Sequence, residues 1–491
     1  MYKFVQGRVD ASRQWKHAID DVLIGELGLT PNRADSCVYS GRVDGELVIL
    51  GRATDDFLVA STDKGYRRIL AVLQAHADGS PRWTIHDYGL ATYYFGIRIV
   101  QTADAITMDQ RPFSYSVLTD LFGSQWTTQS TTPGKHTIPL PAGTAFEARL
   151  AGETPASPKE LATLEHKFGF KFRTLLGKFM QLSSWTRVDL VTATTRVSQY
   201  QSAPGPAHFE ALHCMALYLR GTHDRGLTFT RKGALLLLPV HADAPPPSSS
   251  SISALHFSLS VAVTDGLGDP VILGHEPVDI AATYDYTASA DDMIPVPRVS
   301  STHTSPCPSR PPITVLTPPP TEGEMDANHG SVFETVGFTG VVLLALGTVF
   351  YYLSQKQATS AYNTAESELY AATSAGKFVK WLRVWMSDIG LPYTAPIPMG
   401  EDNEATRIIG HAGKLTRNVR QHLAIQTNEL QSIIGMGHMA LRRVGSADNK
   451  ADHCTKMLPD RAFHSHTSAL MGERFITPLH LAELIRRNGS M

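Results

Sequence analysis

Residues 338–353 read FTGVVLLALGTVFYYL, and no charged side chain stands between Glu334 and Lys356. No other run in the chain is as apolar, and water must be kept from it. A membrane-crossing helix needs roughly 20 apolar residues, so this run is borderline for that purpose. The competing reading is two buried strands turning near Gly347, which suits its Val, Thr, Phe and Tyr content. The strand reading ranks above the membrane one.

The remaining composition describes a chain that can bury cores. Its 491 residues suggest about two to four domains. With 42% hydrophobic and 18% charged residues, most of it is of the globular type. A formal net charge of −2 means that any phosphate-binding surface has to be local. Cys37, Cys214, Cys307 and Cys454 are scattered with no CxxC pair. That argues against a disulfide scaffold or zinc knuckle and fits a reducing compartment. The opening MYKFVQGRVDASRQW has no apolar signal region and enters mid-pattern.

Helix and strand patterns mix over residues 1–125. The spacing of Trp15, Ile19, Val22, Leu23 and Leu27 predicts a helix over 13–29. A helix carrying Ile69, Val72 and Leu73 and the strand-like YYFGIRIV follow. Residues 126–235 read as a helical connection. Within it, FEALHCMALYLRGT sets Phe209, Leu212, Met215, Ala216 and Leu219 on one face, with Gly221 as a stop. His213 and Cys214 in that helix read as packing residues, since one His–Cys neighbour pair is no metal motif. APPPSSSS, within 236–256, is a linker composition. Residues 294–324 are rich in Pro, Ser and Thr and are expected to be disordered, within an insertion spanning 292–330. No internal repeat is visible.

One short stretch, RATDDFLVAS at 52–61, sets two aspartates side by side at the tip of a hydrophobic hairpin. Asp is a common turn residue, so a plain turn accounts for it. Adjacent carboxylates also repel, and a divalent cation relieves that repulsion. Hard cations such as Mg²⁺ prefer carboxylate oxygen and hold substrate phosphates. The pair alone leaves both readings open.

The order of the blocks narrows the choice. GRVDASRQW at 7–15, RADSCVY at 33–39, RATDDFLVAS, and DYGLATYYFGIRI at 87–99 come first. LLGKFMQLSSWTRVDL, SAPGPAHFEALHCMALYLRGT, YLSQKQATSAYNTAESELYAAT, EDNEAT and SADNKADHCTKMLP follow. Together they resemble, in order, the C-terminal part of a copia-type retrotransposon polyprotein: reverse transcriptase followed by ribonuclease H. Each block alone is weak, and nine in order are specific. The resemblance covers most of 1–230 and 330–460. It implies an α/β chain: an α+β polymerase palm and thumb remnant (1–125), the helical connection, and a mixed-sheet ribonuclease H-like domain (257–470) carrying the disordered insertion, then a tail (471–491).

The resemblance also implies site residues. Asp55 and Asp56 match the paired palm aspartates, which in that family bind two Mg²⁺ ions. Arg13 and Trp15 match a nucleic-acid-contacting block. The aromatic residue before the pair is here Ala53, and the family's third aspartate lies upstream of the block starting at Gly7. The expectation is therefore an incomplete polymerase. Ribonuclease H chemistry needs four carboxylates, and the matching candidates are Asp285, Glu368, Asp402 and Asp452, holding Mg²⁺ or Mn²⁺. Asp285 ends the alternating VDIAATYD, close to Asp291 and Asp292. Glu366, two residues before Glu368, is assigned to solvent or to helix N-terminal charge compensation. His453 and Cys454 read as incidental, and His422 as an auxiliary or structural residue.

The implied partners are an RNA–DNA hybrid and primer-template nucleic acid, bound by backbone and shape, with a cytoplasmic or nuclear location. Two other readings stand beside this one: a catalytically dead relic that binds nucleic acid, and a protein anchored in a membrane through 338–353.

Overall fold

The computed structural model describes residues 11–102, 104–127, 136–230, 259–261, 318–328, 336–412 and 423–472. The chain opens with helix α1 (Ala11–Asp20), which runs into a π-helical turn over Asp21–Glu26. Trp15, Ile19, Val22, Leu23 and Leu27 all face the core, as their spacing predicts. Next come β1 (Thr30–Pro31), β2 (Val38–Val43), β3 (Glu46–Ala53), β4 (Asp56–Ser61), α2 (Asp63–Gln74) and β5 (Ile85–His86). Ile69, Val72 and Leu73 of α2 close this first core. β3 and β4 pair antiparallel with Ala53 opposite Asp56, so Thr54 and Asp55 make the turn.

The middle of the chain starts with the antiparallel β6 (Tyr93–Tyr94), β7 (Ile97–Gln101) and β8 (Ala105–Asp109). Helices α3 (Arg111–Phe122), α4 (Thr144–Ala151), α5 (Pro158–Phe168), α6 (Phe172–Trp185), α7 (Val191–Ser198) and α8 (Pro206–Gly221) follow. β9 (Gly226–Thr230) then returns to pair with β8. α8 buries Phe209, Leu212, Met215, Ala216 and Leu219 and ends at Gly221. His213 packs against the rings of Phe122 and Phe168. Before α7, the fully buried Arg187 and Asp189 pair at 2.7 Å, and the Tyr218 hydroxyl donates to the same carboxylate. A buried carboxylate without such partners would carry a large desolvation cost. β10 (Leu259–Val261) hydrogen-bonds to β4 and β5, so it belongs to the first sheet, in the order β1-β2-β3-β4-β10-β5.

The C-terminal unit holds β11 (Thr321–Asn328), β12 (Phe338–Ala345), β13 (Thr348–Lys356), α9 (Thr364–Asp388), β14 (Ile397–Glu401), α10 (Glu404–His411), α11 (Ala424–Gly435), β15 (Met439–Arg443), α12 (Asp452–Thr455) and α13 (Asp460–Met471). The sheet order is β13-β12-β11-β14-β15. The first three strands are antiparallel, while β14 runs parallel to β11 and β15 parallel to β14. The apolar run is the β12–β13 hairpin. Leu346 and Gly347 turn it, with φ of 54° and 78°, where a two-residue hairpin turn needs left-handed backbone. No described helix is long and apolar enough to cross a membrane.

One expectation is corrected here. Residues 321–328, read from composition as part of a disordered insertion, form the central strand. Glu, Gly, Asp and Asn have low strand propensity, but that propensity yields to context. β11 is hydrogen-bonded to β12 on one side and β14 on the other. The N-terminal unit packs on this one through Arg33, 2.7 Å from Asp388, and through the Asn32 amide, which donates to the Trp385 carbonyl at 2.9 Å.

Candidate metal centre

β11 and β14 are parallel neighbours, so their C-terminal ends lie at one edge of the sheet. Asp326 stands near the end of β11, and Asp402 directly follows β14. The crevice outside the carboxyl ends of parallel strands is the usual place for a ligand. Glu368 enters from the second turn of α9. That helix starts cleanly because the Asn363 side chain accepts the Glu366 amide at 2.9 Å. Glu366 is buried, and its carboxylate accepts the Tyr362 amide at 3.0 Å. Of the two roles expected for it, N-terminal compensation holds and solvent exposure does not.

One carboxylate oxygen from each of Asp326, Glu368 and Asp402 lies within 4.8 Å of the others. Among the described residues, no other group of three His, Cys, Asp or Glu side chains meets this closely. Asp452 completes the edge from α12. The Lys456 ammonium sits 2.6 Å from Asp452 Oδ1 and 3.2 Å from Asp326 Oδ1. The Thr455 hydroxyl donates to the other Asp326 oxygen.

What seats α12 is a glycine. A Cβ on Gly340 of β12 would meet Thr455 Cγ2 at 2.6 Å and the Ala451 carbonyl at 2.8 Å. From the opposite side, α7 holds the same short helix. Thr192 donates to the His453 carbonyl, and Arg196 Nη2 donates to the Thr455 carbonyl at 2.8 Å. His453 and Cys454 are buried packing residues in this contact.

The electrostatics follow from burial. Glu368 is 3% exposed and its Oε2 has no hydrogen-bond partner. Its carboxyl is pushed far above the usual range, first by burial and then by Asp326, Glu401 and Asp402. Burial, then Asp326, raises Asp452 to about 7 against the pull of Lys456. Glu401, wholly buried with Oε2 also unpartnered, is raised to about 8, chiefly by burial. Clustered oxygen donors with unmet charge are what a hard divalent cation satisfies, so the donor set fits Mg²⁺ or Mn²⁺.

Of the remaining expected positions, Asp285 and His422 lie outside the described residues. Asp326 on β11 and the buried Glu401 are acids of this edge that sequence reasoning did not name. A signal for Asp326 existed. Antiparallel neighbours are joined by short connections, and only residues 329–337 separate Asn328 from Phe338. Asp55 and Asp56 sit exposed at the β3–β4 turn. Burial, then Asp56, raises the Asp55 carboxyl. Arg13 is exposed. Trp15, expected at a nucleic-acid surface, is instead in the core, and its indole N–H holds the Thr54 carbonyl at 2.9 Å. A tryptophan aligned with a contact block is also the residue best suited to fill a core.

No protein-family model matches the chain. Comparison with curated proteins gives 22% identity over 468 residues to the retrovirus-related Pol polyprotein from transposon TNT 1-94 of Nicotiana tabacum. That match covers 94% of this chain and 27% of the relative. The chain is related to copia-type retrotransposon Pol polyproteins. A second relative, the Pol polyprotein from transposon RE2 of Arabidopsis thaliana, is 24% identical over 247 residues. That match covers 49% of this chain and 15% of the relative. This Pol-related chain thus spans about a quarter or less of the length of these relatives. Among solved structures, it is similar to a ribonuclease H1 isolated from compost, at 13% identity and a TM-score of 0.23. That match covers 30% of this chain and 98% of the other.

Proposed function

We propose that this Pol-related chain cleaves the RNA strand of RNA–DNA hybrids at the cluster of Asp326, Glu368, Asp402 and Asp452. The observation that carries the reading is the meeting of Asp326, Glu368 and Asp402 within 4.8 Å around a buried, unpartnered carboxylate oxygen. Held by these carboxylates, divalent cations would supply activation of water and charge stabilisation for displacement at phosphorus. Asp326 would be the shared residue: it meets Glu368 and Asp402, and it contacts Asp452, with which it shares the Lys456 ammonium. Glu368 and Asp402 would hold a cation at an inner position, and Asp452 one at an outer position. Thr455 orients Asp326, and Asn403, which donates its amide to Glu401 at 2.9 Å, shapes the β14 end that carries Asp402. The hybrid is recognised by backbone and groove shape rather than by base sequence.

The hairpin aspartates carry no separate activity in this proposal, since among the described residues no third acid joins these two exposed carboxylates, and such a pair holds a cation loosely. The test is cleavage of a labelled RNA–DNA hybrid by the full chain with Mg²⁺ or Mn²⁺. Cleavage is expected from the native chain and from Asp285→Asn, and none from Asp326→Asn or Asp402→Asn. No cleavage by the folded native chain would leave the relic reading. Loss of cleavage in Asp285→Asn with retention in Asp326→Asn would move the first carboxylate back to Asp285.

A further inference from the structure

The two sides of the acid cluster are not alike. On the inner side, Glu368 and Asp402 meet Asp326, and the Lys456 charge acts on Glu368 more weakly than burial and the neighbouring acids do. On the outer side, one ammonium bridges Asp326 and Asp452, at 3.2 and 2.6 Å. Lys456 is placed there by its backbone. It follows α12 directly, and its amide donates to the Asp452 carbonyl at 2.9 Å, which fixes the four-residue offset between the two side chains. The Lys456 side chain is 39% exposed, so its stem has a route outward to solvent.

We propose that Lys456 is an internal counter-ion that occupies the outer cation position and is exchanged for a divalent ion. The inference rests on the metal-centre reading above. Like charges crowded at one edge repel, and an opposite charge within about 4–6 Å relieves them. The ammonium pairs directly with Asp326 and Asp452 and reaches Glu368 only as a weaker influence, and it cannot share the outer position with a divalent ion. Loading is then ordered: the inner position takes an ion with Lys456 in place, and the outer one only after the lysine swings out. The apparent outer affinity is lowered by the fraction of time the position is free. Removing the ammonium has two opposite consequences. The metal-free protein loses stability, and the outer site binds more tightly.

The experiment is Mn²⁺ titration by calorimetry, with thermal unfolding in EDTA and in Mn²⁺, on the full chain carrying Lys456→Met, Lys456→Arg or Asp402→Asn. Lys456→Met is expected to bind its weaker Mn²⁺ about tenfold more tightly, if the lysine fills the position nine-tenths of the time. It is expected to melt earlier in EDTA, with the gap closing in Mn²⁺, while Lys456→Arg keeps the native pattern. Lys456→Gln carries the same expectation should the methionine variant fail to fold. Unchanged or weaker binding in Lys456→Met, with equal destabilisation in both buffers, would overturn the exchange and leave a structural ion pair. Absence of Mn²⁺ binding to the native chain would overturn the metal centre itself. Native binding lost in Asp402→Asn but unaltered in Lys456→Met would sink only the exchange.

Discussion

The molecule carries two acidic sites of opposite construction. At the β3–β4 turn, Asp55 and Asp56 are adjacent in sequence, exposed, and supported by hydrogen bonds from Trp15 and Arg52 to the Thr54 carbonyl of the turn. At the C-terminal edge of the five-stranded sheet, Asp326, Glu368, Asp402 and Asp452 come from a central strand, a helix, a strand end and a short late helix. The first is a local feature that any tight hairpin can present. The second exists only because the sheet order brings β11 beside β14 and the contacts of α7 and Gly340 hold α12 against β12. Charge repulsion costs little in water and much when buried, so only the second site has a strong need for a cation.

The largest expected effect tests that contrast directly. Glu368→Gln keeps the shape of a buried side chain but removes a ligand and its charge. Hybrid cleavage should fall below detection, and melting in EDTA should stay about the same, because a carboxyl pushed this far above its usual range is already neutral without metal. A drop in EDTA stability with cleavage intact would make Glu368 a packing residue.

Thr455→Val and Gly340→Ala act one contact away. The first frees an Asp326 oxygen, and the second pushes α12 off β12. Each should weaken Mn²⁺ affinity by about 10–100-fold, the range for residues that orient ligands. Calorimetry on the folded variants measures this.

pH sharpens the comparison with a defined sign. The carboxyls of Asp452 and Glu401 are raised to about 7 and about 8 in the fold. A raised acid contributes stability that is complete below its unfolded value and lost as pH rises through the folded one. Stability in EDTA should therefore decline between about pH 5 and 8, and saturating Mn²⁺ should reduce the decline because the cation prefers the ionised form. Chemical denaturation across that range, with and without Mn²⁺, would show it.

The smallest effect belongs to the hairpin. Asp55→Asn with Asp56→Asn should leave hybrid cleavage unchanged and shift stability by no more than about 0.5 kcal/mol, as for an exposed polar change. Loss of cleavage there would show that the two sites act together.

Much of this could be read from the chain alone. The amphipathic spacing of Trp15 to Leu27, the helix carrying Phe209 to Leu219, and the apolar hairpin over 338–353 follow from periodicity, since burial of a stripe or a run is a local demand. Glu368, Asp402 and Asp452 were legible as candidates because their flanking blocks keep order. Composition and alternation did not point to Asp326. Its strand puts Glu322, Glu324 and Asp326 at alternate positions, and Gly323, Met325 and Ala327 between them. Composition reads such a stretch as loop, whereas VDIAATYD offers the expected apolar alternation. The strand is made by its neighbours on both sides, and Glu324 is neutralised by Lys450, 2.6 Å away and 126 positions later.

By itself, then, the sequence determined which segments must hide from water and which acids stand in ordered blocks, because both are properties of short stretches. Only the tertiary structure decided which carboxylate stands on the central strand, which lysine stands between Asp326 and Asp452, and why α12 lies where it does. Those are long-range facts: they depend on strand order, on a glycine gap between a strand and a helix, and on charges that meet only when distant parts of the chain pack.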